Sequence, residues 1–209
     1  VSPSSSCRKG HRDFSCDIGH RHRQRGAQTG QIITIVNQKW AIESGFKPCS
    51  TIKLVTGIAG FNENLINDSG KLTKGAYNLD LNVALAKSNN PYFQKVGINL
   101  GSEKMIDYAQ KLGLGKTTGI NAANEFAGQL PYGNENLRIY SHADDFLVTP
   151  LQLSVMVSAI TNGGKILIPN IPRSNREKVN FKGSYRDNLG FEREVYERVI
   201  PGMKGAVEY

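Results

Sequence analysis

Thr149-Pro150-Leu151-Gln152 narrows what this chain can fold into more than any other segment. It is a capping box: the threonine hydroxyl accepts from the third helical N–H, and the glutamine side chain reaches back to the threonine N–H. Proline at the first helical position costs nothing, because that N–H has no partner in any helix. The helix so opened runs to Gly163-Gly164, and Lys165-Ile166-Leu167-Ile168 then reads as a short strand. Similar punctuation marks further helices. Ser102 to Leu112 is capped and amphipathic, with Met105, Ile106, Ala109 and Leu112 inward and Gly113 as its stop. Ser50 to about Phe61 places Leu54, Val55, Ile58 and Phe61 on one face. Residues 80–88 are helical up to Asn89-Asn90-Pro91, where Pro91 suits the first turn of a new helix, and residues 191–200 return to helical spacing through Val195, Tyr196, Val199 and Ile200. Gln31–Val36 is a β-branched strand candidate, and the polar, basic residues 170–190 read as a loop. Helices mixed with few, separated strands predict an α+β (mixed α/β) enzyme domain.

Residues 1–26 stand apart. Apart from two cysteines, only Val1, Phe14 and Ile18 are clearly apolar, with no period, so this stretch reads as a basic leader, disordered or aberrant, ahead of a foldable segment at 27–209. It also holds six basic residues against Asp13 and Asp17, half of the net charge of +8. The rest of the chain carries an ordinary charge for a soluble domain, so nucleic acid is not an expected partner. A binder built on the leader would lose its affinity steeply with salt. Cys7 and His11 are echoed by Cys16 and His20, but the spacings do not match common zinc patterns, so neither metal nor cofactor is expected. Three cysteines, Cys7, Cys16 and Cys49, cannot form a disulfide framework without one left over. No stretch approaches the roughly 20 apolar residues of a membrane helix.

A serine with lysine three residues on can support nucleophilic chemistry when both lie on one helix, since such side chains share a face about 5–6 Å apart. The lysine must lose its proton near neutral pH to act as a base, a drop of about three units from its reference value that burial can supply. Three pairs have this spacing: Ser6/Lys9, Ser44/Lys47 and Ser50/Lys53. The first lies in the leader, and the second contains Gly45 and runs into Pro48. Only Ser50 opens an amphipathic helix.

The surroundings of that serine resemble a family. Pro48-Cys49-Ser50-Thr51-Ile52-Lys53-Leu54 is similar to the first motif of penicillin-binding proteins and serine β-lactamases, and Ser88-Asn89-Asn90 before Pro91-Tyr92-Phe93 resembles their serine-any-asparagine motif. Gly113-Leu114-Gly115, Thr118-Gly119-Ile120, Glu125, Gly128 and Leu130-Pro131 follow the same course. Val148-Thr149-Pro150-Leu151-Gln152 with Ala159-Ile160-Thr161-Asn162-Gly163-Gly164 is the most specific block. The resemblance spans roughly residues 27–207 and favours the transpeptidases. It implies an antiparallel sheet flanked by helices, with an all-helical part. It also implies that Ser50 attacks the carbonyl of a D-alanyl-D-alanine stem peptide or a β-lactam, that Lys53 takes the serine proton, and that Ser88 relays a proton to the leaving nitrogen. Asn90 would bond the substrate amide and Lys53. The implied partners are peptidoglycan stem peptides and β-lactams, at the extracytoplasmic face of a bacterial membrane reached through an N-terminal anchor outside this chain. The alternatives are a sensor module acylated without turnover, or a serine β-lactamase. Asn90 argues against the β-lactamase class that has valine there, and no deacylating carboxylate is evident.

The sequence departs from the family in three places. Lys116-Thr117-Thr118-Gly119 looks like the third motif, lysine-threonine/serine-glycine, but sits in the Gly-Leu-Gly block without strand context, and Gln110 excludes a phosphate-binding loop. The family's third motif follows a segment resembling Val199-Ile200-Pro201-Gly202-Met203, and the chain stops at Tyr209. The resemblance therefore implies a domain without its C-terminal strands, with one oxyanion donor absent and an unpaired sheet edge, hence impaired and prone to aggregate. Cys49 stands where glycine is more usual and reads as a small residue packed beside the serine. The 38 residues from Ser50 to Ser88 are fewer than in many relatives, implying a trimmed helical insert.

Overall fold

The computed structural model describes residues 27–133 and 136–208, so the leader and its Cys7/His11/Cys16/His20 set lie outside the described residues. The largest core is helical. Helix α1 (Ile52–Asn62) runs through its centre, ringed by α3 (Asn90–Leu100), α4 (Ser102–Lys111), the short α5 (Ile139–His142) and α8 (Arg193–Glu208). Every α1 residue from Ile52 to Gly60 is buried, so the expected apolar stripe is a helix enclosed on all sides. Tyr92, Phe93, Val96, Met105, Tyr108 and Leu112 fill the space around it.

Helix α2 (Leu81–Ala86) lies along α8. The contact is close because glycines face it: a Cβ on Gly202 would stand 2.6 Å from Leu85 Cβ, and one on Gly205 2.9 Å from Ala86 Cβ. This packing explains why α8 continues to Glu208 through Pro201, beyond the residue-200 end read from the sequence. Burial against α2 and α1 outweighs the single backbone bond that a proline removes.

Helix α6 (Pro150–Thr161) begins as expected, with Thr149 Oγ1 accepting from Gln152 N at 3.1 Å and Gln152 Oε1 accepting from Thr149 N at 3.0 Å. The buried Gln152 amide also donates to the carbonyls of Lys116 (2.7 Å) and Ala127 (2.8 Å). It therefore pins two loops to the start of α6. Strand β1 (Lys165–Leu167) pairs antiparallel with β2 (Tyr185–Asn188), with Ile166 opposite Asp187.

Two expectations need correction. Gln31–Val36 forms no strand: among the described residues it makes only a parallel bridge from Gln31 to Asn170, and Ile33 and Val36 are exposed. β-branched residues favour a strand only where a neighbouring ladder receives them, and here Ile32 and Ile35 pack instead on Ile42, Ile120 and Leu151. Residues 170–190 are more ordered than a loop, holding α7 (Asn175–Val179) and β2. The α7 signal is Ser174-x-x-Glu177, whose serine accepts from Glu177 N at 3.1 Å. β2, reading Tyr-Arg-Asp-Asn, has no apolar alternation to betray it.

Candidate active site

Pro48 leads into a 3₁₀ turn, Cys49–Thr51, and α1 starts at Ile52. Ser50 therefore sits on the tight turn that feeds α1, exposed, while Lys53 enters the first turn of α1 and is 2% exposed. The Lys53 amine has three oxygen neighbours: Ser50 Oγ at 3.2 Å, Ser88 O at 2.7 Å and Ser88 Oγ at 2.7 Å. Phe93 lies beneath it, with the ring centroid 6.0 Å away. Burial pulls the Lys53 pKa down from 10.5 to about 8.

The geometry accommodates both protonation states: the three oxygens can take an ammonium's three hydrogens, and the free base fits as well. A neutral amine has two hydrogens and one lone pair, whereas an ammonium has three hydrogens and no acceptor. In the free base, two hydrogens serve the two Ser88 oxygens, and the lone pair then faces the Ser50 hydroxyl. A buried amine held this way can withdraw a proton from Ser50 and activate its oxygen as a nucleophile.

Ser88 is placed by the way α2 ends. Ser88 N donates to Leu85 O (2.9 Å) and Asn89 N to Ala84 O (2.8 Å), the two bonds of a Schellman motif. That motif needs a left-handed residue, and Ser88 has φ +50°. Glycine would be the unstrained choice there. Serine instead offers both a carbonyl and a hydroxyl to Lys53. Asn89 caps α3, accepting from Tyr92 N at 3.0 Å, and Asn90 opens that helix with Pro91 after it. Ser88-Asn89-Asn90 is thus the corner between two helices.

Among the described residues no hydrogen bond joins the Asn90 amide to Lys53. The amide's hydrogen-bond neighbour among them is His142, with Asn90 Nδ2 3.4 Å from His142 Nε2. Nothing in the spacing Tyr-Ser-His-Ala singles this histidine out from sequence; only the fold brings α5 against the start of α3. The rival pair is also resolved: Lys47 reaches Asp144, which Arg138 Nε holds at 2.8 Å from the other side, and this pairing keeps the Asp144 carboxyl below its usual range. Lys116–Gly119 is a loop, as expected. Glu125 Oε1 accepts from Thr118 N and Thr118 Oγ1, both at 2.6 Å, and Glu125 Oε2 accepts from Gly119 N at 3.1 Å.

Cys49 is not packed beside the serine. It is exposed, and its backbone has φ +50°. A left-handed backbone at this point, rather than a need for small volume, is what would favour glycine here. Cys49→Gly is expected to raise stability by about 1 kcal/mol without weakening any contact of Ser50 or Lys53. A lower midpoint in urea unfolding would contradict this.

A buried lysine amine beside two serine hydroxyls at the head of a buried helix is an arrangement that can support acyl transfer, and comparison with known proteins gives the family. The family model described as penicillin binding protein transpeptidase domain matches residues 25–209, so the chain belongs to that family. Among curated relatives, Stage V sporulation protein D of Bacillus subtilis is 27% identical over 162 residues, covering 67% of this chain and 25% of that protein. Peptidoglycan D,D-transpeptidase MrdA of Haemophilus influenzae is 24% identical over 166 residues, covering 64% and 26%. The chain thus spans about a quarter of the length of these relatives. The fold matches the apo structure of the TP domain from Burkholderia pseudomallei penicillin-binding protein 3, with a TM-score of 0.70 at 18% identity over 87% of this chain and 60% of that one. No helix among the described residues is long and apolar enough to cross a membrane.

Proposed function

We propose that this chain carries the acyl-serine centre of a peptidoglycan D,D-transpeptidase or carboxypeptidase, with Ser50 as nucleophile. The observation that carries the reading is the buried Lys53 amine, 3.2 Å from Ser50 Oγ and bonded to both oxygens of Ser88. Lys53 Nζ takes the Ser50 proton as Oγ attacks the carbonyl carbon of the penultimate D-alanine of a stem peptide. The C–N bond to the terminal D-alanine breaks. The leaving nitrogen takes up a proton through the Ser88 hydroxyl, leaving an ester on Ser50. An acceptor amine or water then attacks that ester and Ser50 regains its proton. Asn90 presents its amide to the substrate backbone. A β-lactam enters the same path but keeps its amine tethered, which favours a lasting adduct. The place of action is the extracytoplasmic face of a bacterial membrane, where such stem peptides are cross-linked.

Incubation with a fluorescent penicillin, extended to hours so that slow acylation is still read, is expected to label the chain but not Ser50→Ala. Because Lys53 must be neutral to accept the proton, the labelling rate should rise with pH and level off above about 8. Equal labelling of both proteins would refute Ser50, and a rate that falls between pH 6 and 8 would refute Lys53 as the base.

A further inference from the structure

His142 is a half-buried histidine at the edge of the Ser50 site that the transpeptidase reading does not use. It is held in place from several directions. Thr56 Oγ1, on the buried face of α1, donates to Tyr140 O at 2.8 Å and fixes the backbone of α5. The Tyr140 ring lies flat against Gly97 of α3, where an added Cβ would stand 2.1 Å from the ring. Behind the imidazole, Ser141 Oγ is 2.7 Å from Nδ1, and Gln94 Nε2 of α3 donates to that same hydroxyl at 3.0 Å. Ser141 is fully buried, so this arrangement is sheltered from water. In front, Nε2 faces Asn90 Nδ2 at 3.4 Å.

With the Asn90 amide nitrogen facing the ring as donor, Nε2 accepts and Nδ1 carries the ring proton, directed at Ser141 Oγ. One run of bonds then links two turns of α3 through α5: Gln94 and Nδ1 donate to Ser141, and Asn90 donates to Nε2. We propose that His142 is a positioning residue that sets which end of the Asn90 amide faces the substrate, by accepting a hydrogen bond from Asn90 Nδ2. The inference rests on the reading of Asn90 as the substrate-binding amide.

The arrangement depends on protonation. The charged groups facing the ring are Lys53 on α1, Lys47 before the 3₁₀ turn, Arg138 at the start of α5, and Asp144 after it. Burial first, then Arg138, Lys53 and Lys47, hold the imidazole pKa below its ordinary 6.5, and Asp144 opposes them only in part. At neutral pH the ring is therefore uncharged and able to accept. In acid, both ring nitrogens carry hydrogens, Nε2 confronts the Asn90 N–H₂ as a second donor, and the amide must turn to present its oxygen.

Two measurements test this on the same chain. The first is penicillin acylation against pH for wild type, His142→Gln and His142→Phe. Glutamine can place an untitratable carbonyl near the Nε2 position. It should keep the rate at pH 8 and remove an acid-side fall of about tenfold that wild type shows beyond the decline set by Lys53. Phenylalanine offers no acceptor and should be about tenfold slower at pH 8. A phenylalanine variant matching wild type in rate and in pH profile would overturn the inference. The second is the imidazole nitrogen spectrum, which needs no activity. Asn90→Ala should shift the Nε2 signal, and Ser141→Ala the Nδ1 signal, with Nδ1 carrying the hydrogen in wild type. If wild type takes up no penicillin, the Ser50 reading falls and the spectrum alone decides: an Nε2 signal indifferent to Asn90→Ala, or carrying the hydrogen at neutral pH, ends the proposal.

Discussion

Lys53→Met will slow acylation of Ser50 by a factor of about 10²–10⁴, the usual contribution of a positioned base, and will at the same time make the chain more stable at pH 7. The two effects share a cause. Lys53 is almost fully buried, and the low-dielectric surroundings that free its lone pair also make its charge costly. A fall from 10.5 to about 8 corresponds to about 3 kcal/mol at 1.36 kcal/mol per unit. Loss of the bonds to Ser88 returns about 1 kcal/mol of that, since Ser88 is exposed and water can replace the amine. The net expected gain is about 2 kcal/mol.

The sign follows from proton binding. Below about pH 8 both folded and unfolded chains hold the Lys53 proton, and the folded state bears the full burial penalty. Between about 8 and 10.5 the folded chain sheds its proton first, so wild-type stability rises with pH through that window. Above it the penalty is gone. The advantage of Lys53→Met in urea unfolding should therefore be largest at pH 7 and vanish by pH 10.5. A methionine variant less stable than wild type at pH 7, or one whose advantage persists at high pH, would show that burial does not set the lysine.

Gly97→Val is expected to destabilise the fold by about 3 kcal/mol. Its Cβ would sit 2.1 Å from Cγ and Cδ2 of Tyr140, and both residues are buried. The Tyr140 ring cannot retreat easily, because Thr56 anchors its backbone carbonyl and Phe93, Val96 and Met105 belong to the same packed core. Relief must come from α5 moving off α3. That separates Ser141 from Gln94 and His142 from Asn90, so the variant should also lose the His142-dependent limb of the acylation profile. Leu153→Ala, a partly buried position on α6 with no bond to His142, Asn90, Ser141 or Gln94, serves as the control: it should lower stability and leave that limb in place. Near-wild-type stability for Gly97→Val would mean that α3 and α5 are not in the contact described.

Much of the fold was legible wherever local chemistry and packing agreed. The capping box at Thr149, the proline in the first turn of α3 and the glycines after α6 all formed as read, because each satisfies orphaned backbone groups with residues a few positions away. Helix α1 was legible as a helix but not as the enclosed centre of the core, since its enclosure depends on α3, α4, α5 and α8. The Gln31–Val36 segment failed for the complementary reason: its β-branched residues had no ladder to join.

The site divides in the same way. Ser50 and Lys53 could be paired from spacing, because three residues on a helical turn share a face. Ser88 could be brought to Lys53 only by family resemblance, as 35 residues separate them. The left-handed backbones of Cys49 and Ser88 were invisible, since neither residue type announces one. His142 carries no motif at all. Its place follows from where Tyr140 packs on Gly97.

Mapping the adduct tests the central claim most directly. The chain is treated with a penicillin, digested, and the modified peptide sequenced by mass spectrometry. One ester-linked penicilloyl group is expected on Ser50, absent from Ser50→Ala and formed about a hundredfold or more slowly in Lys53→Met. A thioester on the neighbouring Cys49, or an adduct that survives Ser50→Ala, would contradict it.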